Sequence, residues 1–181
     1  MKNLSKIIAI ATFVSASLIS GMLKAQTTPP SEWRFGVGVE GGIPTGNLKD
    51  FSNFELGGTA RLQYGLSSNI ALTLTSGYYN FFAKNSSTTI NGITYTAKPT
   101  DLGIVPVKLG IKAFVGDGFY FGAEAGAGFE TVYAKNTKLI LSPGLGYANK
   151  SWDVGVRYEN FSGQSDNYGT VALRLAYGFG L

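Results

Sequence analysis

Residues 168–181 read YGTVALRLAYGFGL, and the run alternates with a period of two. Val171, Leu173, Leu175, Tyr177, Phe179 and Leu181 share one parity, whereas Thr170, Ala172, Arg174, Ala176, Gly178 and Gly180 share the other. Successive side chains of an extended strand point to opposite faces, so the stretch predicts a strand with one bulky apolar face and one small or charged face. The code recurs at the other end of the chain, where Trp33, Phe35, Val37 and Val39 oppose Arg34, Gly36, Gly38 and Glu40. Further on, Phe119, Phe121 and Phe129 oppose Gly122, Glu124, Gly126, Gly128 and Glu130, and Trp152, Val154, Val156 and Tyr158 oppose Asp153, Gly155, Arg157 and Glu159.

Eight such segments span about residues 33–43, 54–66, 69–82, 101–114, 119–130, 138–148, 152–161 and 168–181. Each is long enough to cross a bilayer as a tilted strand, which takes about 9–11 residues. Ser67-Ser68, Gly116-Asp117-Gly118 and Asn149-Lys150-Ser151 are residues suited to tight turns. Longer loops near 44–53, 83–100, 131–137 and 162–167 follow the odd-numbered segments. All tight turns then fall at the end that holds both termini, and all long loops at the other. Within the second loop, Asn91-Gly92 between β-prone residues predicts a type I′ hairpin. The expected fold is all-β: an eight-stranded antiparallel up-and-down transmembrane β-barrel over residues 26–181.

Alternation by itself also fits a soluble periplasmic, lipocalin-like carrier with an apolar interior. The glycines separate the two. Glycine on a solvent-facing strand surface packs against nothing and weakens the strand, whereas in a narrow lumen it makes room beside long charged side chains. Twenty-five glycines, concentrated on the charged parity, favour the lumen. Aromatic residues on the apolar parity fall into two groups, as bilayer interfaces require. Trp33, Tyr64, Phe119, Tyr147, Trp152 and Phe179 lie toward the tight turns, and Phe54, Tyr78, Phe129 and Tyr158 toward the long loops.

The first 25 residues predict a cleavable secretory signal: Lys2 and Lys6, an apolar run from Ile7 to Leu23, then Lys24-Ala25-Gln26. An uncleaved signal anchor is the alternative. The chain has 181 residues, which suits one domain beyond that leader. It has no cysteine, which excludes disulfides and a lipidated cysteine. Three of its fifteen basic residues lie in the leader, leaving 12 against 11 acidic ones, so no electrostatic footprint for nucleic acid remains.

The strings IVPVKLGIKAF (104–114), WDVGVRYENF (152–161) and NYGTVALRLAYGFGL (167–181) resemble the small, porin-like outer-membrane β-barrel domains of Gram-negative bacteria, in which a proline-containing fourth strand recurs. The resemblance covers residues 26–181 and implies an outer-membrane location, insertion by the barrel-insertion machinery through the C-terminal strand, and a monomer. Where that family usually ends on phenylalanine, this chain ends on Leu181. Pro106 lacks a ladder donor and predicts a bulge or irregular pairing in its strand.

The inward parity collects Arg34, Arg61, Lys108, Lys112, Arg157 and Arg174 against Glu40, Glu55, Glu124, Glu130, Asp153 and Glu159. Buried charges persist when paired and hydrogen-bonded, so these twelve are expected to form a salt-bridged lumen. The functional expectation is a structural or surface-interaction barrel, with the 83–100 loop as the surface for an extracellular partner. A narrow porin-like channel for small solutes is the alternative. The absence of histidine removes the usual general base near neutral pH, and no spacing suggests another catalytic set. Gly36-x-Gly38-x-x-Gly41 is followed by Gly42-Ile43-Pro44 rather than a helix, so it is no dinucleotide fingerprint. No cofactor is expected and, without His, Cys or a calcium-type loop, no metal.

Overall fold

The computed structural model describes residues 29–90, 93–97, 99–132, 135–163 and 166–181. The first 25 residues, expected to be a cleavable leader, lie outside them. The strands are β1 (Trp33–Gly46), β2 (Ser52–Gly65), β3 (Ile70–Ala83), β4 (Ser86–Ile90), β5 (Ile93–Ala97), β6 (Leu102–Phe114), β7 (Phe119–Glu130), β8 (Thr137–Ala148), β9 (Trp152–Ser162) and β10 (Tyr168–Gly180), with one helical turn, α1 (Leu48–Phe51). Eight of the strands close into a barrel in the order β1-β10-β9-β8-β7-β6-β3-β2, every neighbouring pair antiparallel. The seam between first and last strands is paired from Arg34↔Gly180 to Gly46↔Tyr168, so no edge is left open.

The predicted spans match the eight barrel strands with two differences. β1 runs on to Gly46, so the loop expected at 44–53 reduces to Asn47 and the α1 turn before β2 begins at Ser52. The 83–100 loop contains the separate hairpin β4–β5, paired from Ser86↔Ala97 to Ile90↔Ile93. Its Asn91-Gly92 turn lies outside the described residues.

Pro106 gives the irregular pairing expected of it, on one side only and without a bulge. β6 keeps a continuous register with β7 through Pro106↔Gly128. On the other side the β3–β6 ladder runs from Ser76↔Val107 to Tyr79↔Ile104 with two rungs missing and no slip in phase. Proline has no N–H to give, and the hydroxyl of Ser76 donates to the Pro106 carbonyl at 2.9 Å. The β8–β9 ladder shows the same interruption beside Pro143, between Leu141↔Asn160 and Gly144↔Arg157. The register shift in the β2–β3 ladder lies between Ser52 and Phe54.

Side-chain orientation follows the parity. Leu109, Phe119, Leu145, Leu173 and Phe179 project outward and are exposed, Leu109 to 67% and Phe119 to 61%. Arg61, Lys108, Arg157, Glu159 and Arg174 project inward and are buried. An apolar belt of this extent has no place on a soluble monomer, so the lipocalin-like alternative, which needs the reverse polarity, is overturned.

Lumenal glycines let backbone and side chains approach closely. A Cβ on Gly126 would overlap the carbonyl of Val107 on the neighbouring strand. Gly126→Ala is therefore expected to destabilise the barrel by about 1–3 kcal/mol through overpacking, although alanine ordinarily favours a strand over glycine. Urea unfolding in lipid vesicles measures it; an unchanged midpoint contradicts the close approach.

The inward face is not only small or charged, as its parity suggested. Toward the long-loop end, Tyr79, Phe81, Leu102, Ile104, Ile140, Phe161 and Tyr168 form an apolar layer, joined by Leu48 from α1. Phe161 meets Phe81 edge-on at 6.1 Å and stacks on Tyr168 at 5.1 Å. A smaller cluster of Ala71, Phe114, Tyr120 and Ala148 lies toward the tight turns.

Candidate functional site

Between these two apolar layers lies a network of ions. Glu124 on β7 is its centre: its carboxylate accepts from Arg61 of β2 at 2.5 Å and Thr75 of β3 at 2.9 Å, with Lys108 of β6 at 3.3 Å and Arg157 of β9 at 3.4 Å. One carboxylate thus links four other strands. Asp153 of β9 forms a second node. It accepts from the Tyr120 hydroxyl at 2.7 Å, pairs with Lys112, and lies 3.6 Å from both Arg61 and Arg174.

Arg157 reaches across to Glu40 of β1, its Nε donating at 2.6 Å, and the same Nε is 3.1 Å from Glu159. Its Nη2 also donates to the Tyr79 hydroxyl at 2.8 Å. Glu159 accepts from Lys108, and from Ser142 at 3.2 Å. Lys108 and Glu159 have no exposed side-chain surface. Arg174 donates through Nε to Thr59 at 3.1 Å.

Of the twelve charges expected in the lumen, Arg61, Lys108, Lys112, Arg157, Arg174, Glu40, Glu124, Asp153 and Glu159 share one connected set of ion pairs. The other three are placed differently. Arg34 lies at the tight-turn mouth and donates to the carbonyls of Asn149 and Lys150 at 2.7 and 2.6 Å. Glu130 accepts from the Tyr168 hydroxyl at 2.5 Å near the opposite end. Glu55 is fully buried and has neither an ion pair nor a hydrogen bond.

Sequence parity did not single out the neutral partners Thr59, Thr75, Tyr79, Tyr120 and Ser142, nor Lys138, whose ammonium donates to the carbonyls of Gly163 and Asp166. All of them stand on inward positions, so the signal was present; five are uncharged, and Lys138 is a charged inward residue at the first position of its predicted span. Oxygen atoms of Glu40, Glu55 and Glu159 lie within 4.8 Å of one another. The β1–β2 pairing brings Glu40 and Glu55 together, and Glu159 of β9 joins them through barrel closure.

Two cavities lined by network residues on the inward face measure about 30 and 20 Å³. A single water needs roughly 10–15 Å³ by this measure, so each has room for one or two. The ten aromatic residues expected at interfaces all lie on the outward parity, with Trp33 against Tyr64 at 4.7 Å and Phe119 against Tyr147 at 5.2 Å.

A closed eight-stranded barrel with a greasy exterior and ions inside crosses a bilayer, because every strand N–H and C=O can pair within the barrel. The fold is that of the small outer-membrane β-barrels. The crystal structure of Ail, the attachment invasion locus protein of Yersinia pestis, is similar to this barrel, with a TM-score of 0.57 at 14% identity over 83% of this chain and 99% of that one. The N-terminal β-barrel domain of Pseudomonas aeruginosa OprF scores 0.50 at 12% identity, over 80% and 97%. A de novo designed transmembrane β-barrel scores 0.50 at 18% identity, over 86% and 99%. No known family profile and no curated protein matches the sequence. Since a designed barrel shares the architecture, the likeness concerns fold and not activity.

Proposed function

We propose that this outer-membrane barrel is a structural and surface-interaction protein with a closed lumen and no catalytic turnover. The observation that carries this reading is the filling of the lumen at successive levels: the ion network, then the apolar layer of Phe81, Ile104, Ile140 and Phe161 beneath the loops. A water-filled path of solute width needs more strands, about 16–18 in porins. The network's role is to hold strand register from within, since each node joins strands that are not neighbours. The outward aromatic residues anchor the barrel at the two bilayer interfaces.

The surface offered outward is the long-loop end, above all the β4–β5 hairpin, which stands apart from the barrel sheet. Ail has been crystallised with sucrose octasulfate, a heparin analogue; for the present chain an extracellular partner at the hairpin is the corresponding expectation. Insertion through the β10 strand and a monomeric state complete the reading.

Planar-bilayer recording tests it. Purified protein is expected to give no reproducible single-channel steps. Ion-selective steps altered by Arg61→Gln or Glu124→Gln would favour the narrow-channel reading instead.

A further inference from the structure

In the ion network, every carboxylate oxygen of Glu40, Glu124 and Asp153 has a donor or cation, and so does Oε1 of Glu159. Both oxygens of Glu55, Oε2 of Glu159 and the hydroxyl of Thr170 are buried without a hydrogen-bond partner, as are single oxygens of Thr45 and Glu130 and the two Nη atoms of Arg174. Those of Glu55, Glu159 and Thr170 converge from three strands. Glu159 and Thr170 are cross-strand partners on β9 and β10, and Glu55 lies opposite Gly42 of β1. Gly42 lets these groups approach the β1 backbone closely: a Cβ on it would lie 2.5 Å from Glu55 Oε2 and 2.6 Å from the Thr170 hydroxyl.

Local charge is unbalanced in the same place. Glu40, Glu55 and Glu159 gather within 4.8 Å, and Arg157 and Lys108 are the cations paired with Glu40 and Glu159. Both cations are shared with Glu124 as well. Unpaired buried carboxylate carries a heavy desolvation cost. One further positive charge beside Glu55 removes it.

We propose that Glu55, Glu159 and Thr170 form a buried oxygen-donor site for one hard cation of the size of calcium or sodium, with Glu40 at its border. The donor set is carboxylate and hydroxyl oxygen, without nitrogen or sulfur, which suits such ions and not transition metals. Calcium binds oxygen at about 2.3–2.6 Å, so carboxylate oxygens within 4.8 Å of one another can share one ion. The apolar layer closes the site toward the loops, so the ion is taken up as the barrel closes and acts by stabilising it.

The test is refolding of the full barrel from chelator-treated urea into zwitterionic lipid vesicles, in calcium, sodium or tetramethylammonium chloride at matched ionic strength. The expected result is a urea midpoint that rises with calcium or sodium above its value in tetramethylammonium, a cation too large for the site. The salt giving the larger shift identifies the occupant. Glu55→Gln is expected to abolish the shift, and Thr170→Val to move it to higher cation concentration. If Glu55→Gln does not refold, Thr170→Val and terbium luminescence sensitised by Tyr79, displaced by calcium, carry the test. Equal midpoints in all three salts with Glu55→Gln at least as stable as the native chain would mean that the carboxyl holds a proton, and would overturn the site. So would a shift that persists in Glu55→Gln.

Discussion

Arginine in place of Leu173 is expected to reduce folding stability in a bilayer by about 2–4 kcal/mol, the range for a charge on the lipid face at the midplane. Leu173 lies midway along β10, projects outward with 47% of its surface exposed, and pairs with Gly41 and Val156. In water, an arginine at so exposed a strand position would cost little. Against acyl chains it loses its hydration without gaining a partner. Reversible urea unfolding in vesicles measures the difference, with Asp117→Arg in the β6–β7 turn as the control for charge alone. Equal midpoints for the two variants would contradict a lipid-facing β10.

Glu124→Gln is expected to have the larger effect, about 3–5 kcal/mol, because removing one partner of a buried ion pair leaves the other charged and unpaired. Three cations, Arg61, Lys108 and Arg157, converge on this carboxylate, which has 8% of its side chain exposed. The double variant Glu124→Gln with Arg61→Met removes a charge of each sign and should recover part of the loss, giving a non-additive cycle. A loss below about 1 kcal/mol, the value typical of exposed pairs, would mean that water screens the lumen and that the network does not fix register.

The barrel was legible in the sequence because period-two alternation is a local property that survives into the folded state. β10 shows this most plainly, with Leu173 outward and Arg174 inward as the run alone required. Pairing across the lumen was not legible. Which cation meets which carboxylate depends on stagger and closure, and these bring Arg157 to Glu40 across 117 residues while leaving Glu55 apart. The apolar layer had a signal that parity counting overlooks. In Tyr78-Tyr79 and Phe81-Phe82, bulky residues occupy both faces of β3 in succession, which marks the level where the interior turns from ionic to apolar. Pro106 was recognised as an obstacle to pairing. Pro143 was not, although its strand neighbour shows the same missing rungs.

Those two interruptions lie on opposite flanks of the three consecutive strands β6, β7 and β8, whose mutual ladders run without a break. The wall is thus divided into a firmly zipped panel and the remainder, joined along two lines that each lack rungs near mid-length. If the cylinder breathes, it will part along these lines before it parts at the β1–β10 junction, and the amides beside Gly77 and Tyr158 will be among the first in the wall to exchange with water.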